Sequence, residues 1–184
     1  RPEIIEKAML DLRKDFPEIC EYIYKAGVDN NGIGTTNWGV YSEKKFGIVQ
    51  ADFICMMSPA MFRKFVLPAI EEEIEYYDYS YFHLDGPGAL KHIDDILSIK
   101  KLRILQWVPG DGQKPNFQWL DVLKKAQKAG KAVTVFGNGQ EPLTPEIVKR
   151  LHQELDPANV IYDGICIKNR KEFEELEDWL EKNA

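Results

Sequence analysis

From Ile48 onward the chain repeats one pattern five times: a short, nearly continuous apolar run, a polar turn, and a stretch with apolar residues at helical spacing. The apolar runs fall at residues 48–53, 79–83, 102–108, 132–136 and 160–166. A strand solvated on one face alternates apolar with polar residues, whereas a strand covered on both faces is apolar throughout. Strands of the second kind that alternate with helices specify a parallel sheet of α/β class, flanked by its own helices. Neither a GxGxxG nor a P-loop follows any of the runs, so doubly wound nucleotide binding has no support. The expected architecture is instead a (β/α)8 TIM-type barrel. A full barrel takes about 250 residues, and the 184 present hold roughly five βα units. The chain therefore reads as a single domain, residues 1–184, equivalent to the C-terminal five units of a barrel, with 1–46 a helix-plus-loop lead-in and 47–184 the βα units. Two open parallel edges expose unpaired backbone groups. Either self-association as a homo-oligomer or a missing N-terminal half is expected to cover them.

In the lead-in, Ile5, Met9, Leu12, Phe16, Ile19 and Ile23 recur at helical spacing, and Pro17 is expected to kink or split that run. Gly27 closes it, and the Gly- and Asn-rich stretch that follows reads as a loop with one short strand around residues 35–38. Ser58 and Pro59 supply an N-cap and first-turn pair for a long helix to about Tyr77, bent at Pro68. Later helices are marked by Leu90, Ile93 and Leu97, by Leu120, Leu123 and Ala126 before Gly130, by Ile147 and Leu151 after Thr144-Pro145, and by Phe173, Leu176 and Leu180.

A formal charge of -6 without a Lys/Arg cluster argues against a nucleic-acid partner. No apolar run approaches the ~18 residues that span a bilayer, and the N-terminus lacks a signal-peptide pattern, so a cytoplasmic protein without a membrane partner is expected. Cys20, Cys55 and Cys166 lack CxxC spacing, which disfavours a disulfide framework or zinc ribbon.

Reactive groups of β/α barrels lie at the carboxyl ends of strands. There this chain carries Asp52, then His83 and Asp85, then Gln106 and Trp107 with Asp111 in the following loop, then Asn138 and Gln140, and last Asp163 and Cys166. Imidazole, carboxylate and thiolate are all zinc ligands, and a catalytic zinc commonly has three protein ligands and an open position. His83, Asp85 and Cys166 are therefore a candidate metal set. The alternative reading has Asp85 capping the Gly-Pro-Gly turn, His83 hydrogen-bonded beneath it and Cys166 as a small buried hydrophobe. Asp52 is a substrate contact or a solvated loop carboxylate. Gln106 and Trp107 line a small-molecule pocket or, for Trp107, belong to the core. His92 and His152 read as surface or flank residues on helices.

The run SPAMFRKFVLPAI, followed in order by HLDGPGALKHIDDIL, ILQWVPGDG and DGICIKNRKEFEEL, resembles the uroporphyrinogen decarboxylase superfamily from about Ile48 to the C-terminus. The likeness is nearest to the anaerobe-type branch that carries HLDG and QWVPG. It implies a (β/α)8 barrel with a deep pocket at the strand carboxyl ends, and one of two chemistries. One is zinc-dependent methyl transfer between a corrinoid protein and a thiol, with zinc on an HxC pair and a later Cys. His83 matches the first of those ligands, Asp85 stands in place of the Cys, and Cys166 lies close to the last. Zinc and a corrinoid carried by a partner protein are thus the implied cofactors. The other chemistry is cofactor-free decarboxylation of a tetrapyrrole, in which Asp52 falls near a substrate-binding position. It loses ground because the closing DGICIKN has no His, and because few basic groups, Arg103 and Lys168 the nearest, are present to meet an anionic porphyrinogen. A non-catalytic pocket for a corrinoid or a partner protein is the third reading. Methyl transfer is the leading expectation, with His83, Asp85 and Cys166 on the metal and Asp52, Gln106, Trp107 and Asp111 around the substrate.

Overall fold

A computed structural model describes the backbone of residues 1–31, 35–37 and 40–183, with side chains for residues 1–28 and 40–183. The chain is mixed α/β, with a five-stranded parallel sheet in the order β3-β4-β5-β6-β7 and a separate two-stranded antiparallel pair, β1-β2. The sheet strands are β3 (Phe46–Gln50), β4 (Tyr79–Asp85), β5 (Leu102–Val108), β6 (Ala132–Val135) and β7 (Val160–Tyr162). The strand order follows the chain order without the reversal that marks doubly wound folds. The parallel α/β architecture expected from the apolar runs is present. By packing the chain divides into two compact units, Arg1–Arg103 and Ile104–Ala184.

The first unit opens with α1 (Pro2–Arg13) and α2 (Phe16–Asn31). The split falls just before Pro17, which occupies the first turn of α2, where its missing N–H costs nothing. The short strand expected near residues 35–38 is β1 (Thr35–Asn37), pairing with β2 (Val40–Ser42); Trp38 lies outside the described residues. After β3 the chain makes a 3-10 turn over Asp52–Met56, then α3 (Pro59–Met61), a π-helical turn over Phe62–Val66, and α4 (Leu67–Tyr76). Ser58 caps α3, its Oγ accepting from the Met61 N–H at 3.3 Å. The π turn has a local cause. Pro68 has no N–H for the carbonyl four residues back, and the ladder shifts so that Leu67 N–H donates to Phe62 O, five residues earlier.

β3 and β4 keep one register throughout, Phe46 opposite Tyr79 and Gln50 opposite His83. Gly47 is required in β3 because a Cβ there would fall inside the ring of Tyr77. In β4, Ser80, Tyr81, Phe82 and Leu84 are all fully buried, which accounts for the unbroken apolar run. The chain then passes through a 3-10 turn into α5 (Ile93–Leu97). By contrast, α1 buries no residue completely, and Leu12 and Tyr22 stay 76% and 79% exposed.

The second unit packs α6 (Leu120–Lys128), α7 (Pro145–Glu154) and α8 (Arg170–Asn183) with β6 and β7 around Leu105, Leu123, Val133, Val135, Leu151 and Leu176. Gly130 ends α6 with φ +77°, the left-handed conformation that closes helices on glycine. The fifth apolar run is a strand only as far as Tyr162; residues 163–169 have no regular structure.

Candidate metal centre in the first unit

The register of β3 and β4 builds this site. Each residue of β3 faces the residue 33 positions later, ending with Gln50 beside His83, and Asp52 follows two residues on, at the start of the 3-10 turn. His83 and Asp85, two apart in one strand, project from the same face. The three side chains therefore converge at the carboxyl ends of adjacent strands. The ligand atoms of Asp52, His83 and Asp85 all lie within 4.8 Å of one another, with Asp52 exposed and the other two half-buried.

Two 3-10 turns hold this arrangement. Gly86, at φ +77°, turns the chain directly after Asp85 into the turn Pro87–His92. That turn packs on the Asp52–Met56 turn, so closely that a Cβ on Gly88 would sit 3.1 Å from the Cβ of Cys55. Lys91 Nζ donates to Cys55 O at 2.7 Å. His92 Nε2 donates to Ile54 O at 2.9 Å, and its ring lies 4.4 Å from that of Phe62. Because a carbonyl only accepts, Nε2 carries the proton, and the buried Nδ1 has no partner. His92 is thus fully buried, which corrects its assignment as a surface or flank residue. The signal was present in the sequence: His92 falls on the apolar stripe formed with Ala89, Ile93 and Ile96.

Two carboxylates and an imidazole are a competent donor set for zinc or another first-row divalent ion, whose bonds to such atoms run about 2.0–2.2 Å. A pair of ligating carboxylates brings two negative charges, which a divalent cation matches.

The remaining candidates belong to the second unit. Cys166 is exposed, and its backbone N–H donates to Leu143 O at 2.7 Å. Gln106 is buried. Trp107 is also fully buried, its ring edge-to-face on Trp119 at 5.2 Å, while its carbonyl accepts from Asn116 Nδ2 at 2.6 Å. Strand alternation puts Gln106 on the face opposite Trp107. Asp111 is exposed in a turn between Gly110 and Gly112, both at positive φ. Asn138 shapes its own loop, its Oδ1 accepting from the N–H groups of Gln140 and Glu141 at 2.9 and 2.8 Å. Among the described residues no helix is long and apolar enough to cross a membrane.

Comparison with protein families, with curated proteins and with solved structures finds no match to this chain.

Proposed function

We propose that the chain carries the metal centre of a (β/α) barrel enzyme similar to the uroporphyrinogen decarboxylase superfamily, one that transfers a methyl group between a corrinoid protein and a thiol. The observation that carries this reading is the convergence of Asp52, His83 and Asp85 at the ends of β3 and β4. The ordered run of superfamily-like motifs and the sequential strand order support it.

His83 and Asp85 are donors fixed by a buried strand, and Asp52 closes the set from a turn braced by His92. Bound there, zinc would supply a Lewis acid that favours the thiolate form of a thiol near neutral pH. The exposure of Asp52 leaves a side open to solvent from which the thiol approaches. Cys166 is the further donor that the resemblance offers, and of the residues expected around the substrate Asp111 is exposed whereas Gln106 and Trp107 are buried.

Titration of the chelator-stripped protein with zinc, followed by calorimetry, tests it. About one equivalent is expected to bind, and His83→Ala is expected to weaken binding by at least ~100-fold, more than loss of an outer-sphere group costs. Cys166→Ala reports directly whether that thiol is a ligand. Zinc binding that His83→Ala leaves unchanged would remove the proposal.

A further inference from the structure

Asp52 is the donor of the triad that its own element holds least. It is the first residue of a 3-10 turn, directly after Ala51, and no side chain caps that end. A 3-10 turn has poorer hydrogen-bond geometry than an α-helix and fixes its own shape weakly. Of the five residues in the turn Ile54 alone is buried, while Phe53 and Met56 stay 49% and 81% exposed. His83 and Asp85, by contrast, belong to a strand buried along most of its length. Where Asp52 stands relative to them therefore depends on what grips its turn from outside.

The grip comes from the turn that follows Asp85. Consecutive residues there hold consecutive carbonyls of the Asp52 turn, His92 Nε2 donating to Ile54 O and Lys91 Nζ to Cys55 O. The first bond is buried and the second exposed, so water replaces the lysine readily and the imidazole only at a cost. The His92 ring is also kept from swinging away by the fully buried Phe62 against which it lies. Gly88 lets the two turns approach closely enough for both bonds to form. The strand that supplies two donors thus runs directly into the turn that places the third. Building on the metal centre proposed above, we infer that His92 is its positioning residue, acting through the Ile54 carbonyl to present Asp52 to His83 and Asp85 before an ion arrives. Such placement lets the ion bind without first ordering a loose donor.

His92→Phe removes the donor and keeps a ring against Phe62. Ile54 O retains a partner in that variant, the Met57 N–H at 2.9 Å. The test is a cycle of zinc titrations by calorimetry on the full chain: wild type, His92→Phe, Asp52→Ala and the double variant. His92→Phe is expected to weaken zinc binding about fivefold to tenfold, and by no more than Asp52→Ala does, because placing a donor contributes no more than the donor itself. Beside Asp52→Ala the same change is expected to alter affinity by less than about twofold, since the two residues act as one unit. His92→Gln, whose side-chain amide is a donor of similar reach, is expected to restore most of the affinity. A readout without metal accompanies the cycle: the Met57 amide of His92→Phe is expected to exchange its hydrogen at least about threefold faster than that of the wild type, with the amides of β4 unchanged. Equal losses of affinity with and without Asp52 would overturn the inference by making His92 a general support of the fold, and so would wild-type affinity in His92→Phe. A wild type that binds no zinc would remove the metal centre itself, and this role of His92 with it.

Discussion

The carboxyl ends of β4 and β5 carry polar and aromatic residues of equal promise in the sequence, yet the chain treats them differently. At the end of β4 the backbone turns through Gly86 into a 3-10 turn, and His83 and Asp85 remain half-open and meet Asp52. At the end of β5 the following loop doubles back. Asn116 becomes fully buried, bonding the Trp107 carbonyl at 2.6 Å and, through Oδ1, the Phe136 N–H at 3.2 Å. Trp119 then covers the Trp107 ring. A polar strand end becomes a candidate site only where the next segment leaves it room, and becomes a structural joint where a side chain of that segment fills the space.

The sharpest way to break this contrast is to cut the joint. Asn116→Ala leaves a buried carbonyl and a buried N–H unpaired, and it is expected to cost about 2–3 kcal/mol in denaturant unfolding of the second unit. Zinc affinity at the triad is expected to stay the same; a parallel loss would show that the two strand ends are not independent. A smaller effect sharpens the other side. Asp52→Asn keeps the shape of the turn but removes a charged donor, and is expected to weaken zinc binding about tenfold, roughly 1.4 kcal/mol, with stability unchanged. An unchanged affinity would leave Asp52 as a solvated carboxylate and the site as a two-residue pair.

The smallest effect concerns a third kind of polar group, enclosed but serving neither role. Glu73 of α4 lines a cavity of about 150 Å3 with Met9, Leu12, Arg13, Phe16, Ala69 and Glu72, and desolvation pushes its carboxyl from 4.5 up to about 7. Arg13 Nε lies 3.0 Å from Glu72, the carboxylate next to it. The folded state holds the Glu73 proton more tightly than the unfolded chain does. Its contribution is therefore complete below pH ~4.5 and is lost as pH rises through about 7. Unfolding midpoints of the wild type are expected to fall across that window relative to those of Glu73→Gln, in which this part of the pH dependence disappears.

Much of this was legible locally. Unbroken apolar runs gave away strands covered on both faces, Ser58-Pro59 a helix start, Pro17 a helix break, and the two-residue spacing of His83 and Asp85 a shared strand face. What escaped depended on distant parts of the chain. Asp52 reads locally as a pocket residue, because its closeness to His83 and Asp85 depends on β3 and β4 lying side by side, which no local window contains. His92 was misplaced because a histidine on an apolar stripe needs a buried acceptor, and Ile54 O is supplied by another turn. The π turn was foreseen only as a bend, since Pro68 forbids a hydrogen bond without stating how the helix re-forms around the loss.

The constant 33-residue offset between β3 and β4 also constrains how such a chain can diverge. The helical connection between the strands can gain or lose residues provided the pairing is restored at its end, so its length is free to drift among descendants. A slip of a single residue in the pairing itself would turn His83 and Asp85 to the opposite side of the sheet and erase the constellation in one event.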